Sequence, residues 1–409
     1  MAGPPRDGDA PQEILGAAVD RNRPAWSTAP AGPTEPGGRI LARLGLRVAL
    51  VLALLAALDL AVRAALPPEA LLPYMEREFA SYTVKVDRFA TQPAPDVVFV
   101  GNSRVHDGVV PEVFAEGLAQ RWGRPASAYN LGLMNAKTEE LAALVRSHFP
   151  DPAPRRVVIG LSGTEIVNAH EFQYASRFLW SAGDFSGWLA RTPLQHVQVA
   201  HVESFLESEL CRVWYLFAER DALRTALSER LQDTLHAWFG RSVPPLVRAV
   251  RVQVGRHNLA DALADDGYYD EPGPQSSLAR MLAEGDDVRV PPYSKADFSE
   301  LQRGAEFPLL RDVVRELQSR GCRVALAEVP PSPWLQEQCP EFHGELFRTR
   351  MAEFAASVGV PAVAMRPGET FLTDATYIDA NHLTRAGAQR YSRLLLERLE
   401  QAGFFDDGP

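Results

Sequence analysis

The chain has 409 residues, of which 46% are hydrophobic, so it can bury a sizeable core and form up to two folded units. Its formal net charge of -10 and its pI of about 5.5 argue against a nucleic-acid-binding protein, because such proteins carry a basic face. The cysteines, Cys211, Cys322 and Cys339, lack metal-ligand spacing, and we expect three thiols, with a Cys322–Cys339 disulfide as the alternative in an oxidising compartment.

The N-terminal segment, residues 1–38, is rich in proline, glycine and alanine and has no apolar periodicity. It cannot bury enough surface to fold, so we predict that it is disordered. An apolar segment, residues 44–66, follows it. As a helix this segment would be about 34 Å long, which is enough to cross a hydrocarbon core of roughly 30 Å. We therefore predict a transmembrane helix over residues 39–66.

Two charged residues interrupt the apolar segment near its C-terminal end. Asp59 and Arg63 are four residues apart, so they can pair on one face of the helix, and the long side chain of Arg63 can reach the membrane interface. This pairing would reduce the cost of placing two charges in the membrane. The alternative is an amphipathic or buried helix of a soluble protein.

Charges on either side of the apolar segment predict its orientation. Three arginines, Arg39, Arg43 and Arg47, precede the unbroken apolar run of residues 48–58 within it, and three glutamates follow the segment, namely Glu69, Glu76 and Glu78. The excess of positive charge at the N-terminal side places the N-terminus in the cytoplasm. We predict a single-pass protein of the inner (cytoplasmic) membrane, with a linker over residues 67–92 and a periplasmic or otherwise extracytoplasmic domain over residues 93–409.

The exported domain alternates between short apolar runs and amphipathic stretches. Five runs have the length and the bounding turn residues of buried strands, namely residues 97–100, 128–131, 157–161, 324–329 and 360–365. Helical spacing follows in residues 139–149 and 309–317, and Thr384 is a candidate N-cap for a last helix. This alternation predicts an α/β fold with a parallel sheet between helices.

A long segment between the third and fourth predicted strands breaks the alternation. We predict a helical insertion at about residues 171–300. Residues 201–254 within it have a helical pattern and are rich in aromatic side chains. Residues 261–296 are polar and punctuated by glycine and proline, so we expect a loop there.

The segment Gly101-Asn102-Ser103-Arg104 follows the first predicted strand. A serine at such a strand-to-helix turn has its hydroxyl exposed beyond the edge of the sheet, where ligands of parallel sheets bind. Its backbone N–H, like others at the start of a helix, is free to bind a developing oxyanion. Ser103 is therefore a candidate nucleophile, and the alternative is a simple helix N-cap.

The segment Asp379-Ala380-Asn381-His382 precedes the last predicted helix. His382 is a candidate general base for Ser103, and Asp379 can hold its imidazole in the required tautomer, because the two residues can lie on the same side of a turn. The alternative is a surface aspartate followed by a histidine that caps the helix.

Two residues at the ends of the other predicted strands are candidates for the oxyanion hole. Gly132 can bring a backbone N–H close to a ligand, or it can be an ordinary turn glycine. Asn168 can supply a side-chain amide, or it can be a loop residue. Arg104 and His106 are candidate substrate-binding residues, and the alternatives are a pair of Arg104 with a carboxylate and a surface position for His106.

Together these segments resemble the SGNH (GDSL-like) hydrolase superfamily, and within it the membrane-anchored proteins of bacterial envelopes. The family has a serine after the first strand, a glycine after the second, an asparagine after the third and a DxxH pair before the last helix. The resemblance covers residues 93–170 and 305–402. It implies a three-layer αβα sandwich with a flavodoxin-like parallel sheet. One departure is Glu165, which stands about where the asparagine is expected and cannot stabilise an oxyanion.

The resemblance implies a serine O-acyltransferase or esterase that acts on acyl groups of a cell-envelope glycan. Ser103, His382 and Asp379 would form the catalytic triad, and the N–H groups of Ser103 and Gly132, with Asn168, would form the oxyanion hole. The expected partners are an acylated glycan or acyl donor and a membrane-embedded acyltransferase. No sequence feature implies a metal or an organic cofactor. The alternative is a weakly catalytic or inactive protein that acts in polysaccharide assembly or glycan binding.

Overall fold

The computed structural model describes residues 37–71, 77–134, 136–163, 182–191, 199–239, 277–286, 288, 307–366 and 372–407. The fold is α/β, and its centre is a parallel sheet of five strands in the order β2-β1-β3-β4-β5. The strands are β1 Val97–Gly101, β2 Ala128–Gly132, β3 Arg156–Leu161, β4 Arg323–Glu328 and β5 Ala362–Val363.

All five predicted strands are therefore confirmed, although the last one is much shorter than its apolar run. β5 is an edge strand that pairs only with β4, and it begins directly after Pro361, which has no N–H to donate to a sheet. The short pairing still fixes the edge, because the carbonyl group of Pro361 accepts a hydrogen bond from the N–H of Leu326.

The helices fill the intervals between the strands. Before β1 they are α1 Gly37–Ala65, α2 Pro68–Leu71 and α3 Arg77–Thr91. Between β1 and β3 they are α4 Ser103–Gly108, α5 Pro111–Trp122 and α6 Thr138–His148. Between β3 and β4 the structure describes α7 Ala182–Arg191, α8 Val199–Val213, α9 Tyr215–Ala218, α10 Arg220–Phe239, α11 Leu278–Glu284 and α12 Pro308–Ser319. After β4 they are α13 Pro333–Gln338, α14 Pro340–His343, α15 Glu345–Val358 and α16 Arg385–Gln401.

The sheet is covered on both faces, as parallel sheets require. Val98 and Val100 of β1 belong to one apolar cluster, to which α6, α12 and α15 contribute their buried side chains. Val97 and Phe99 belong to a second cluster with α5 and α16. Successive residues of a strand point to opposite faces, so the strands must be apolar throughout. The strands appear in the sequence as unbroken apolar runs because both faces of the sheet are buried.

Contacts within the chain divide it into two units, Met1–Ala56 and Ala57–Pro409. Within α1, the segment Ala42–Ala65 is long and apolar enough to cross a membrane, by its length and composition. At 1.5 Å per residue it measures about 36 Å. The predicted disorder of residues 1–38 lies outside the described residues except at its last two positions, which are helical and belong to α1.

The two charges in α1 do not pair with each other, so that prediction is wrong. The carboxylate of Asp59 is buried and accepts a hydrogen bond of 2.6 Å from the N–H of Leu216, at the start of α9. The guanidinium of Arg63 lies 5.2 Å from the centre of the Tyr215 ring, and the Tyr215 hydroxyl donates to the carbonyl of Leu66. The first N–H groups of a helix need acceptors, and Asp59 supplies one here. The carboxylate of Asp59 therefore stabilises the contact between α1 and the start of α9, which belongs to the insertion.

Two other segments differ from the sequence predictions. The predicted linker, residues 67–92, contains α2 and α3, and α3 packs Tyr82, Val86 and Phe89 into the core. The predicted loop over residues 261–296 contains α11, whose N-cap Ser277 accepts a hydrogen bond from the backbone of Arg280. Residues 261–276, 287 and 289–296 of that loop lie outside the described residues, as do residues 240–254 of the predicted helical stretch.

The structure contains no disulfide among Cys211, Cys322 and Cys339, and all three side chains are buried. Burial raises the pKa of the Cys322 thiol to about 11, so this thiol is protonated and unreactive near neutral pH. The expectation of unbridged cysteines therefore agrees with the structure.

A buried ion pair links the end of β4 to α15. The Arg348 Nε donates to both carboxylate oxygens of Glu328, at 3.1 and 2.9 Å, and one of these oxygens also accepts from the N–H of Met365. Both side chains are almost fully buried. Burial raises the pKa of Glu328, while the hydrogen bonds and charge of Arg348 oppose that rise.

Removing one partner of this pair should be strongly destabilising. We expect Arg348→Met to lower the free energy of unfolding by about 3–5 kcal/mol, because it leaves a buried carboxylate without its countercharge. The matched control is Arg280→Met, which breaks an exposed pair with Glu284 and should cost less than about 1 kcal/mol. Urea unfolding of the detergent-solubilised chain measures both losses, and equal losses would contradict the importance of the buried pair.

Candidate active site

The candidate site lies at the carboxyl edge of the sheet, where β1 passes into α4. The strand order changes direction between β1 and β3, and ligands of such sheets bind at this position. The turn into α4 is tight. A Cβ atom at Gly101 or Gly160 would overlap the side chain of Val105, so only glycine lets α4 pack this closely on the strands.

Ser103, His382 and Asp379 form a continuous hydrogen-bonded chain. The Oγ of Ser103 lies 2.8 Å from the Nε2 of His382, and the Nδ1 of His382 lies 2.8 Å from the Oδ2 of Asp379. With the proton on Nδ1, the Nε2 atom accepts from the serine hydroxyl, which is the state required of a general base. The side chain of His382 keeps 22% of its surface exposed, so a substrate can reach it.

Asp379 holds its own loop in place as well as the histidine. Its Oδ1 accepts from the backbone N–H groups of Asn381 and His382, at 2.7 and 2.9 Å, which leaves Oδ2 for the imidazole. The Ile378 N–H donates to the carbonyl of His382 and closes the loop on the other side. The predicted turn, with Asp379 and His382 on the same side, is therefore present.

The charges around the triad favour an ionised aspartate and a basic imidazole. Burial alone would raise the pKa of Asp379, but the hydrogen bond and charge of His382 and two backbone N–H groups keep it lowered. Burial alone would lower the pKa of His382, but the hydrogen bond and charge of Asp379 and the charge of Asp107 raise it. Both directions stabilise the imidazolium that forms when the histidine takes a proton.

The serine hydroxyl is not used as a helix cap. The N-cap of α4 is Asn102, whose Oδ1 accepts from the N–H of Arg104 at 2.9 Å. The alternative interpretation of Ser103 is therefore wrong. Among the described residues, no acceptor is paired with the Ser103 N–H, so it remains available for a ligand oxygen.

Gly132 is close to the site, but its N–H is occupied. It donates to the Oδ1 of Asn130 at 2.8 Å, so in this conformation it is not available to an oxyanion as predicted. The Nδ2 of Asn130 in turn donates to the carbonyls of Val105 and Val109, at 2.9 and 2.7 Å. A Cβ at Gly132 would overlap the backbone of His106. Gly132 and Asn130 therefore position α4, a role that the sequence analysis did not assign to Asn130.

The third predicted contributor to the oxyanion hole, Asn168, lies outside the described residues, and so does Glu165. The described chain ends on this side at Gly163, directly after β3. A Cβ at Gly163 would overlap the carbonyl of Phe342, so α14 closely approaches the end of β3.

Arg104 is buried beside the triad, and no carboxylate among the described residues pairs with it. Its NH2 donates to the Oδ1 of Asn381 at 2.6 Å, and its NH1 is buried and has no hydrogen-bond partner within the described part of the chain. Asn381 stands between the two triad residues of the loop, so the guanidinium is tied to the same loop as His382. Sequence spacing alone could not reveal this contact, which spans 277 positions.

His106 is also buried, so the predicted surface position is wrong. Its Nδ1 lies 2.7 Å from the Oδ1 of Asp107. Asp107 is four residues after Ser103 and therefore shares its face of α4. Burial alone would raise the pKa of Asp107, but the charge and hydrogen bond of His106 and the charge of His382 lower it. Asp107 is thus a second carboxylate near the imidazole, and the sequence analysis gave it no role.

No model of a known protein family matches the chain, and no curated protein matches its sequence. The case for an active site therefore depends on the geometry around Ser103 and His382. Two predictions test that geometry before any substrate is known, because a fluorophosphonate probe reacts with an activated serine.

We expect Gly132→Ala to slow labelling of Ser103 by roughly a hundredfold. The new methyl group would lie 2.3 Å from the backbone nitrogen of His106, so α4 must move away and carry Ser103 with it. A displacement of about 1 Å is enough for a loss of this size. The matched control is Gly108→Ala in the same helix. Its methyl group would lie 3.5 Å from Leu383 and from Val329, which is ordinary contact. Labelling of Gly132→Ala at the wild-type rate would contradict the positioning role of this glycine.

We expect the labelling rate to rise with pH as His382 loses its proton, with a midpoint above the usual histidine value of 6.5. Asp379 and Asp107 raise this pKa and Arg104 lowers it, so Asp107→Asn should move the midpoint to lower pH. Asp221→Asn, on the exposed surface of α10, serves as the control and should leave the midpoint in place. An unchanged midpoint in Asp107→Asn would show that Asp107 does not act on His382.

Proposed function

We propose that this chain is a membrane-anchored serine O-acyltransferase or esterase that acts on acyl groups of a cell-envelope glycan. The observation that carries the proposal is the chain of two 2.8 Å contacts from Ser103 through His382 to Asp379. A serine hydroxyl bonded to a histidine that is itself oriented by a carboxylate is the arrangement used for nucleophilic acyl transfer on unrelated folds.

In the proposed reaction, the Oγ of Ser103 attacks the carbonyl carbon of an ester while the Nε2 of His382 takes the hydroxyl proton. The tetrahedral intermediate collapses, the ester C–O bond breaks, and the leaving alcohol takes the proton from Nε2. The acyl group is now bound to Ser103. A water molecule or a glycan hydroxyl then gives its proton to the Nε2 of His382 and attacks the acyl carbonyl carbon. The bond from this carbon to the Oγ of Ser103 breaks, and Oγ takes the proton from Nε2, which releases the acid or the acylated glycan.

The oxyanion of this reaction would be bound by the N–H of Ser103. The N–H of Gly132 would join it only if the hydrogen bond to Asn130 were released. A missing donor costs on the order of 10²–10³ in rate. We therefore expect a slow turnover with simple activated esters, which suits an enzyme specialised for one acyl donor.

We further propose the SGNH-type fold, a three-layer αβα sandwich with its insertion between β3 and β4. The strand order, the two covered faces of the sheet and the order of the motifs support it. We also propose that α1 anchors the chain in the inner membrane with its N-terminus in the cytoplasm, which the arginines before the apolar segment support. An exported site tethered to a membrane suits an envelope glycan as substrate and a membrane-embedded acyltransferase as the source of acyl groups.

A second candidate function is glycan binding or polysaccharide assembly without catalysis. The occupied N–H of Gly132 favours it, because an incomplete oxyanion hole weakens acyl transfer. This candidate predicts that Ser103 can be replaced without loss of cellular function.

Ser103→Ala should abolish labelling by a fluorophosphonate probe and lower ester hydrolysis by at least about a thousandfold, because no other group in the triad can form the acyl-enzyme. Mass measurement of the wild type after brief exposure to an activated ester should detect one acyl group on Ser103. The control is Ser319→Ala, which removes a hydroxyl that bonds only to the carbonyl of Glu316 at the end of α12. Equal labelling of wild type and Ser103→Ala would exclude the acyl-transfer mechanism.

A further inference from the structure

We propose that Arg104 binds an anionic group of the substrate, and that the acyl group of the ester attacked by Ser103 therefore carries a carboxylate. This inference names the substrate class of the site described above and rests on its proposed function.

The Arg104 side chain is only 4% exposed. Among the described residues, no carboxylate forms an ion pair with it, and the one side-chain hydrogen bond it makes is to the neutral amide oxygen of Asn381. Buried charges in proteins are normally paired, because an isolated charge loses its hydration. A guanidinium that is kept buried without a countercharge is explained if the countercharge arrives with a ligand.

The described carboxylates near Arg104 are already engaged. Both oxygens of Asp379 are occupied, one by two backbone N–H groups and the other by His382. Asp107 is bound to His106. Neither carboxylate can turn to Arg104 without giving up these bonds, so the positive charge remains available within the site.

Arg104 directly follows the nucleophile, and the bond from its NH2 to Asn381 fixes the planar guanidinium against the loop of His382. The NH1 atom is buried, and the described residues offer it no hydrogen-bond partner. A planar guanidinium with one terminal nitrogen already satisfied is prepared to donate to a carboxylate oxygen through the other.

An anion at this position would also assist the triad. The charge of Arg104 opposes the protonation of His382, which Asp379 and Asp107 favour. A bound carboxylate would neutralise Arg104 and remove this opposition when the substrate is present. The same charge would therefore select an acidic substrate, and the imidazolium formed during the reaction would be more stable with that substrate than with a neutral one.

The test compares two esters of equal shape, 4-methylumbelliferyl hexanoate and the monoester of adipic acid, in which a carboxylate replaces the terminal methyl group. We measure kcat/KM for both with the wild type, and expect the acidic ester to be preferred. In Arg104→Gln the ratio of acidic to neutral kcat/KM should fall by about tenfold to a hundredfold, the range for a lost charge-assisted hydrogen bond. Both rates come from one sample, so the fraction of folded protein cancels.

The controls separate this role from others. Arg390→Gln removes an exposed arginine of α16 and should leave the ratio unchanged. An equal fall of both rates in Arg104→Gln would overturn the proposal, because it would place the guanidinium on the reacting carbonyl or in packing alone. A wild type that prefers the neutral ester would overturn it as well.

A binding measurement keeps this inference separate from the proposed catalysis. Monomethyl adipate is titrated calorimetrically into Ser103→Ala, which cannot form an acyl-enzyme, and into Ser103→Ala/Arg104→Gln. We expect the second protein to bind about tenfold more weakly or worse. If both esters resist hydrolysis but this difference is present, the acyl-transfer function fails and the anion site stands. Equal binding by the two proteins overturns the anion site whatever the activity.

Discussion

The packing of α4 against the ends of β1, β2 and β3 is the constraint on which the site depends. Val105 of this helix fits where Gly101 and Gly160 have no side chain, and its backbone rests on Gly132. Asn130 then ties the helix to β2 through its amide. A helix of six residues has little stability of its own, so these contacts decide where its first residue lies. The packing of α4 on the strands therefore places the Ser103 hydroxyl within hydrogen-bond distance of His382.

The strands and most helices of the domain could be predicted from the sequence, because each depends on a local pattern of apolar residues. The triad could also be predicted, since the serine at the end of β1 and the Asp379–His382 turn are each short and lie next to elements with strong signals. The structure adds that Asp379 has two roles, because one carboxylate oxygen accepts from the backbone of the turn and the other contacts the imidazole. The parallel topology then brings two distant segments to one edge.

The failed predictions for Asp59, Arg63 and His106 concern residues whose environment is set by other parts of the fold, and the one for Gly132 concerns a local contact. Asp59 and Arg63 have the spacing of a helical ion pair, but the start of α9 offers Asp59 an unsatisfied N–H, and a buried charge prefers that bond. His106 has the polarity of a surface residue and lies buried in the core. The N–H of Gly132 donates to the side-chain oxygen of Asn130, two residues earlier, and no rule of sequence spacing predicts this hydrogen bond.

The charges of the site have opposite effects on its base. Two carboxylates, Asp379 and Asp107, raise the pKa of His382, and the buried cation Arg104 lowers it. The carboxylates therefore favour the uptake of a proton by His382, and the charge of Arg104 opposes it. If a substrate anion binds Arg104 as proposed, it would remove this opposition, and the carboxylates would stabilise the imidazolium that forms during the reaction. The same anion would offset the cost of burying the Arg104 guanidinium, for which the described residues supply no countercharge.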